Sequence, residues 1–349
     1  MELRDILHEL YRVVRPLWAA CTCAGNHRVR LALVYSRVHS SPSYPDGEHI
    51  HFKLLVSPGC QVEPIASTNW HHNHLILTLQ GSSSAAASPP NGIQVQRFCE
   101  FVSERKDGLM PRIRLEANSL WDITREISAA HLVEQYRITG MATPLTAFIS
   151  GSHEFTRKEK LILSVVLAHN VLYFCDTPWL REWDKEQVLF DQPLSATAPY
   201  VDAYFPAGFN LAATAQTDAN RPVHPCPSIL ALGILLLEIA VNSTIESKRT
   251  RKDLDSNGNV TANTDQFTAQ RLLPSIRNDL NHIDDIHIEV IEACLNCNFY
   301  DRNIRPNLDN PDFRQKVYEN IIRPLELLLF FGFKITPTQL YTMPRSPRS

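Results

Sequence analysis

Apolar side chains recur at Leu3, Ile6, Leu7, Leu10, Val14 and Leu17, while Arg4, Glu9 and Arg12 fall off that line. Steps of three and four predict an amphipathic helix within residues 1–20. A helix of that length is marginal alone in water. It must dock on the rest of the chain, join a partner, or connect to a further helical domain. The period then changes to two. Val29, Leu31, Leu33 and Tyr35 alternate with Arg28, Arg30 and Ala32, and Ile50, Phe52 and Leu54 alternate with His51 and Lys53. Both runs read as strands, joined through the polar "HSSPSYPDGE" as a long-looped hairpin. Residues 74–80 and 92–98 are further strand candidates, separated by the low-complexity "GSSSAAASPPN".

From about residue 118 helical spacing takes over. Residues 157–175 predict one long helix with Leu161, Val165, Ala168 and Leu172 on a face, and 228–241 is apolar almost all round, as in a helix buried mid-domain. Segments 286–297 and 312–331 complete a helical half, and the Pro-rich, weakly basic end, 336–349, reads as disordered. The expected organisation is a β-rich unit over 21–145 and a helical unit over 146–335, an α+β arrangement.

Composition narrows the function classes. A net charge of −3 gives no general pull toward nucleic acid. The longest uncharged apolar run, Ile229 to Leu237, is far short of the roughly 20 residues that span a bilayer. Charges every few residues in 1–18 do not fit a secretory signal. Eight cysteines without a disulfide framework point to a reducing compartment, cytoplasmic or nuclear.

The order of signals, strands and then helices, resembles a protein kinase, and specific residues carry the likeness. Against H-R-D-L-K-x-x-N-[IV]-L, the chain offers Leu180, Arg181, Glu182, Trp183, Asp184, Lys185, Glu186, Gln187, Val188 and Leu189 without a gap. "ILALGILLLEI" is similar to the buried helix of the kinase large lobe, and "ACLNCNFYDRNIRP" to a late C-L…R-P segment. A closer resemblance is to a fungal family of uncharacterised domains with a kinase-like large lobe, carried by "LW", "CTC", "VRLAL", "TPWL", "LGILLLE" and the closing "VY..II.PLE". The resemblance implies a small β-rich N-lobe, a helical C-lobe, and a helical domain often placed upstream.

The matched positions depart from a working kinase. The histidine is Leu180, the catalytic aspartate Glu182, the loop lysine Asp184 and the metal-binding asparagine Gln187. One extra methylene moves a carboxylate by about 1 Å, a misplacement that can cost on the order of 10²-fold. Asp184 reverses the charge where a transferred phosphoryl group needs a cation. "YVDAYFP" is the counterpart of the metal-binding turn, giving Asp202 with no glycine after it, and Ser228 stands where kinases start the buried helix with aspartate. None of the twelve glycines forms a G-x-G, and Lys53 has no glycine loop ahead of it.

Other constellations favour plain readings. Cys21, Cys23 and His27 with a distant Cys294 and Cys297 lack paired zinc-ligand spacing, and His49/His51 and His72/His74 read as strand-face histidines. "DLDSNGNVTANT" begins like a calcium loop but ends on Thr264 where a bidentate glutamate belongs, so a flexible turn is expected. "SKRTRK", 247–252, reads as a solvated basic loop, with nuclear import or an acidic partner as its alternatives.

The expectation is therefore a non-catalytic, kinase-like interaction or signalling module with a protein partner, no nucleic-acid role, no metal and no cofactor. Arg181, Glu182, Gln187 and Asp202 are its degenerate site positions. The alternatives are a divergent phosphotransferase with Glu182 as base and Gln187 and Asp202 holding Mg²⁺, and a structural partner docking through its N-terminal helix.

Overall fold

The computed structural model describes residues 3–19, 27–38, 48–57, 70–79, 92–103, 111–116, 118–124, 138–139, 142–151, 155–177, 179–180, 184–190, 199–205, 222–278, 284–301 and 303–340. It is a mixed α+β chain of two compact units. Unit 1 comprises 1–143, 189–210 and 341–349; unit 2 comprises 144–188 and 211–340.

Unit 1 is built on a sheet. Its long strands are β1 (His27–Val38), β2 (Glu48–Ser57) and β3 (Trp70–Leu79). The short ones are β4 (Ile93–Gln94), β5 (Arg112–Glu116), β6 (Ser119–Asp122), β7 (Ile138–Thr139), β8 (Thr143–Pro144), β9 (Val188–Phe190) and β10 (Tyr200–Phe205). The order is β4-β6-β5-β3-β2-β1-β10-β9-β8, with β7 also on β3. β1 and β2 pair antiparallel, as the hairpin reading expects, with a bulge between Leu31 and Tyr35, and β3 pairs parallel with β5. The strand expected over 92–98 is cut to two residues, because Phe98 opens a helix, α2 (Phe98–Ser103), and is itself buried. The alternation of β1 and β2 suggests one polar face, yet Arg30 and His51 are buried along with Leu31, Leu33, Ile50 and Phe52.

Helix α1 (Leu3–Ala19) packs on α2 and β6 within this unit. Leu3, Ile6, Leu7, Leu10 and Val14 are all buried, and Trp18 meets Phe98 edge-on at 5.2 Å between ring centroids. The stripe legible in the sequence is therefore occupied by its own unit.

Unit 2 holds α3 (Leu145–Ile149), α4 (Arg157–Phe174), α5 (Pro227–Val241), α6 (Thr264–Asn278), α7 (Asp285–Asn296), α8 (Pro311–Val317), α9 (Arg323–Phe333) and α10 (Pro337–Leu340). A π-helical turn, Tyr318–Ile322, links α8 to α9. α4 starts on a capping box, in which the Thr156 side chain accepts from the Glu159 amide and the Glu159 carboxylate from the Thr156 amide. α5 packs on α4, α6 and α7 and is buried nearly all round, as its apolar sequence predicts. Gly233 permits this crossing: a Cβ there would lie 2.7 Å from Cys294 Cβ and 3.3 Å from Leu295 Cδ2. The left-handed Asn242 ends the helix, and Lys160 Nζ donates to the Ala240 carbonyl at 3.0 Å.

The reading of 336–349 as disordered meets a short helix, α10, at its start; 341–349 lie outside the described residues. Among the described residues no helix is long and apolar enough to cross a membrane.

Candidate functional site

The segment matched to the kinase catalytic loop begins where α4 ends. Cys175 turns extended, Asp176 takes a left-handed conformation (φ 59°), and the Thr177 hydroxyl donates to the Phe174 carbonyl. The Trp179 amide then donates to Thr177 Oγ1 at 3.2 Å, and Trp179 and Leu180 are buried. Leu180 thus serves as an apolar plug, bridged to Cys175 and Thr177. Arg181 and Glu182 lie outside the described residues.

The chain resumes at Asp184, which is exposed; its carbonyl accepts the Gln187 amide at 3.0 Å and closes the turn into β9. The next three side chains point into unit 2 or along its surface. Lys185 is buried, and its ammonium donates to Glu238 Oε1 at 2.6 Å and to both Glu246 oxygens at 2.7 and 2.8 Å. Glu186 accepts from the Thr146 hydroxyl of α3. Gln187 is half-buried, and its Oε1 has no partner among the described residues.

Glu238 explains the ion cluster. It sits in the last turn of α5 with only 1% of its surface exposed and also accepts the Ile245 amide at 2.7 Å. A lone carboxylate there would be costly, so a cation must come to it. Burial raises the Glu238 pKa, and the bonds from Lys185 and Ile245 only partly offset this. Burial alone would lower the Lys185 ammonium, but its bonds to Glu238 and Glu246 outweigh it and hold the group above its ordinary value. Glu246 lies near the surface; burial raises its carboxyl, and Lys185 and Arg249 together outweigh this and bring it below the usual range. The ammonium therefore stays charged between two carboxylates, fastening the turn to α5.

A second tie fixes the other end of the segment. Ser228, in the first turn of α5, donates to Asp176 Oδ1 at 2.7 Å. The Asp176 carboxylate thus faces the N-terminal turn of α5, where the backbone dipole favours it. The two ties bracket the segment and use Lys185 and Asp176 for structure. Lys185, Glu238, Glu246 and Asp176 were not singled out from the sequence, although one carboxylate closing a fully apolar helix was a signal that a buried cation had to exist.

Asp202 lies in β10, opposite Arg30 of β1, and belongs to unit 1, whereas Gln187 belongs to unit 2. Among the described residues no group of three or more His, Cys, Asp or Glu could hold a metal ion. The calcium-like loop is a hydrogen-bonded turn: Asp255 accepts the Asn257 and Asn259 amides at 2.9 and 2.7 Å. Asp253 is taken by Arg271, with two bonds of 2.8 and 2.7 Å, and by the Thr250 amide and hydroxyl, so both its oxygens are engaged in holding the loop to α6. His287, buried between α4 and α7, lies 3.3 Å from Ser164 Oγ, but this pair is sealed from solvent and burial lowers the imidazole to about 4. Cys226, Cys294 and Cys297 are free and buried; burial pushes Cys226 to about 11 and Cys297 to about 12, so they are inert thiols.

A family model described as a domain of unknown function (DUF7580) matches residues 1–331. No curated protein matches the chain.

Proposed function

The chain belongs to the DUF7580 family of domains of unknown function, and from that premise we propose that it is a non-catalytic, kinase-like interaction module. The observation that carries this reading is the fate of the loop's charges. The only lysine of the 180–189 segment is neutralised by Glu238 and Glu246, and Asp184 stands exposed where a phosphotransferase needs a cation. Such a loop keeps its shape through structural ion pairs, and among its described residues nothing positive is left for a phosphate. The succession of a strand-rich unit and a helical unit, with a buried apolar helix at the heart of the second, supports the kinase-like comparison. α1 is occupied within unit 1, so its docking on a partner is not carried forward as the basis of interaction.

One observation favours a second reading. Gln187 Oε1 is buried and unpartnered among the described residues, which suits a Mg²⁺ ligand in a divergent phosphotransferase with Glu182 as base. A melting-temperature titration with ATP and Mg²⁺ separates the two, since a ligand that binds the folded state raises stability by mass action. The non-catalytic reading expects no saturable shift at millimolar nucleotide. A saturable shift that Gln187→Ala and Asp202→Ala both abolish would replace it with the phosphotransferase.

A further inference from the structure

Helix α9 buries one face and leaves another bare. Leu325 and Leu329 are buried in unit 2, and Glu326 turns the same way, 2.8 Å from His169 Nε2 and 3.0 Å from the Tyr318 hydroxyl. On the outer side Leu327, Phe330 and Phe331 are 43%, 39% and 67% exposed. The two rings meet edge-on at 5.4 Å, and Lys334, left-handed just past the helix end, holds Nζ 5.6 and 5.9 Å from their centroids. Single exposed apolar residues are ordinary on a protein surface. Three large ones within five positions, capped by a cation, form a patch of the kind that marks an interaction site.

The charge on this face has one sign. Arg323 and Lys334 are exposed, and Glu326, the one acid of α9, is turned inward. Glu319, a turn earlier, is already bonded by Gln315 and Lys316. This decides among occupants. A second copy would set Arg323 and Lys334 against the same cations of its mate. The chain's own 341–349 brings Arg345 and Arg348 and no acid.

We propose that the outer face of α9 docks an acidic amphipathic segment of another protein. Its large apolar side chains would cover Leu327, Phe330 and Phe331, and its carboxylates would meet Lys334 and Arg323, the groove-and-helix mode of recognition. The proposal deepens the interaction-module reading by naming the surface and the chemistry of the partner.

The test is to pan a random dodecapeptide library on the full chain, with counter-selection on Phe331→Asp, and to measure the enriched peptides by fluorescence anisotropy. The expected winners combine Leu, Ile, Phe or Trp with Asp or Glu. Their affinity should fall about tenfold or more in Phe331→Asp, as for a buried aromatic anchor. Lys334→Glu should weaken the acidic peptides and improve their Lys-substituted analogues. Both changes lie on the surface, and unchanged melting temperatures verify that they fold. Four results would each overturn the proposal: no enrichment, enrichment without acidic bias, sedimentation with one-quarter phosphatidylserine vesicles that Phe331→Asp abolishes, or a dimer that Phe331→Asp dissociates. Its failure leaves the non-catalytic reading standing, because that reading is decided by the nucleotide titration.

Discussion

Replacing Lys185 by methionine keeps the length of the side chain and removes only the charge. Glu238 is then left almost fully buried, with the Ile245 amide at 2.7 Å as its remaining donor, while Glu246 can turn to water. An unpaired buried charge typically costs about 3–5 kcal/mol. Glu238 can escape by taking a proton, and at pH 7 that costs about 1.36 kcal/mol for each unit above its ordinary value of 4.5, roughly 3.4 kcal/mol in all. The penalty for Lys185→Met is therefore about 3–4 kcal/mol at pH 7. The sign of its pH dependence follows. In the variant the folded-state pKa of Glu238 lies far above the unfolded value, so the group destabilises the fold above about pH 4.5 and ceases to do so as pH falls toward it. Near pH 5 the protonation cost is only about 0.7 kcal/mol, and the variant should recover some 2–3 kcal/mol relative to wild type. Urea denaturation followed by far-UV circular dichroism reads this as a midpoint change at constant slope. Replacing both Lys185 and Glu238 by methionine removes the orphaned charge and should restore most of the loss at pH 7. A penalty below about 1 kcal/mol, one equal at both pH values, or a double variant no better than the single would refute the reasoning.

Gly233→Ala should cost about 1–3 kcal/mol, since the new Cβ meets Cys294 Cβ at 2.7 Å; wild-type stability in urea would show that α5 and α7 separate freely. Deleting residues 1–16 removes Leu3, Ile6, Leu7, Leu10, Val13 and Val14 from the core of unit 1. At about 1.5–3 kcal/mol each, their loss exceeds a domain's margin, so limited proteolysis should find unit 1 unfolded, and an unchanged digestion pattern would contradict the packing of α1. The His287 imidazole, held at about 4, must be charged in the unfolded chain below pH 6.5 while it stays neutral in the fold. Stability should therefore fall as pH drops from 6.5 toward 4, by up to about 3 kcal/mol, and His287→Leu should flatten that slope; an unaltered slope would assign the acid sensitivity to other groups.

The candidate site shows where sequence reading stops. The register of 180–189 with the kinase loop located the segment, and the buried position of Leu180 agrees with its apolar character. The ties that hold the segment were not legible, because Lys185 meets Glu238 and Glu246 across 53 and 61 positions, and Ser228 meets Asp176 across 52. Of the four site positions read from the motif, Gln187 is described with its side chain and Asp202 by its strand; Arg181 and Glu182 lie outside the described residues.

By itself the sequence determined the elements whose signal is local. The stripe of α1, the alternation of β1 and β2, and the all-round apolarity of α5 each repeat over many residues, so turn-by-turn propensity and burial agree on them. Tertiary structure decided what depends on a distant partner. β5 alternates charged and apolar residues for only five positions and becomes a strand through its parallel pairing with β3; β10, read from the sequence as the counterpart of a metal-binding turn, is a strand because β1 lies beside it. α9 reads as apolar on nearly every side, and only packing against α4 and α7 selects Leu325 and Leu329 for the interior and leaves Leu327, Phe330 and Phe331 outside. Local patterns fix a residue's angle around its own helix or strand, whereas burial, charge pairing and sheet partners are settled by competition among segments far apart in the chain.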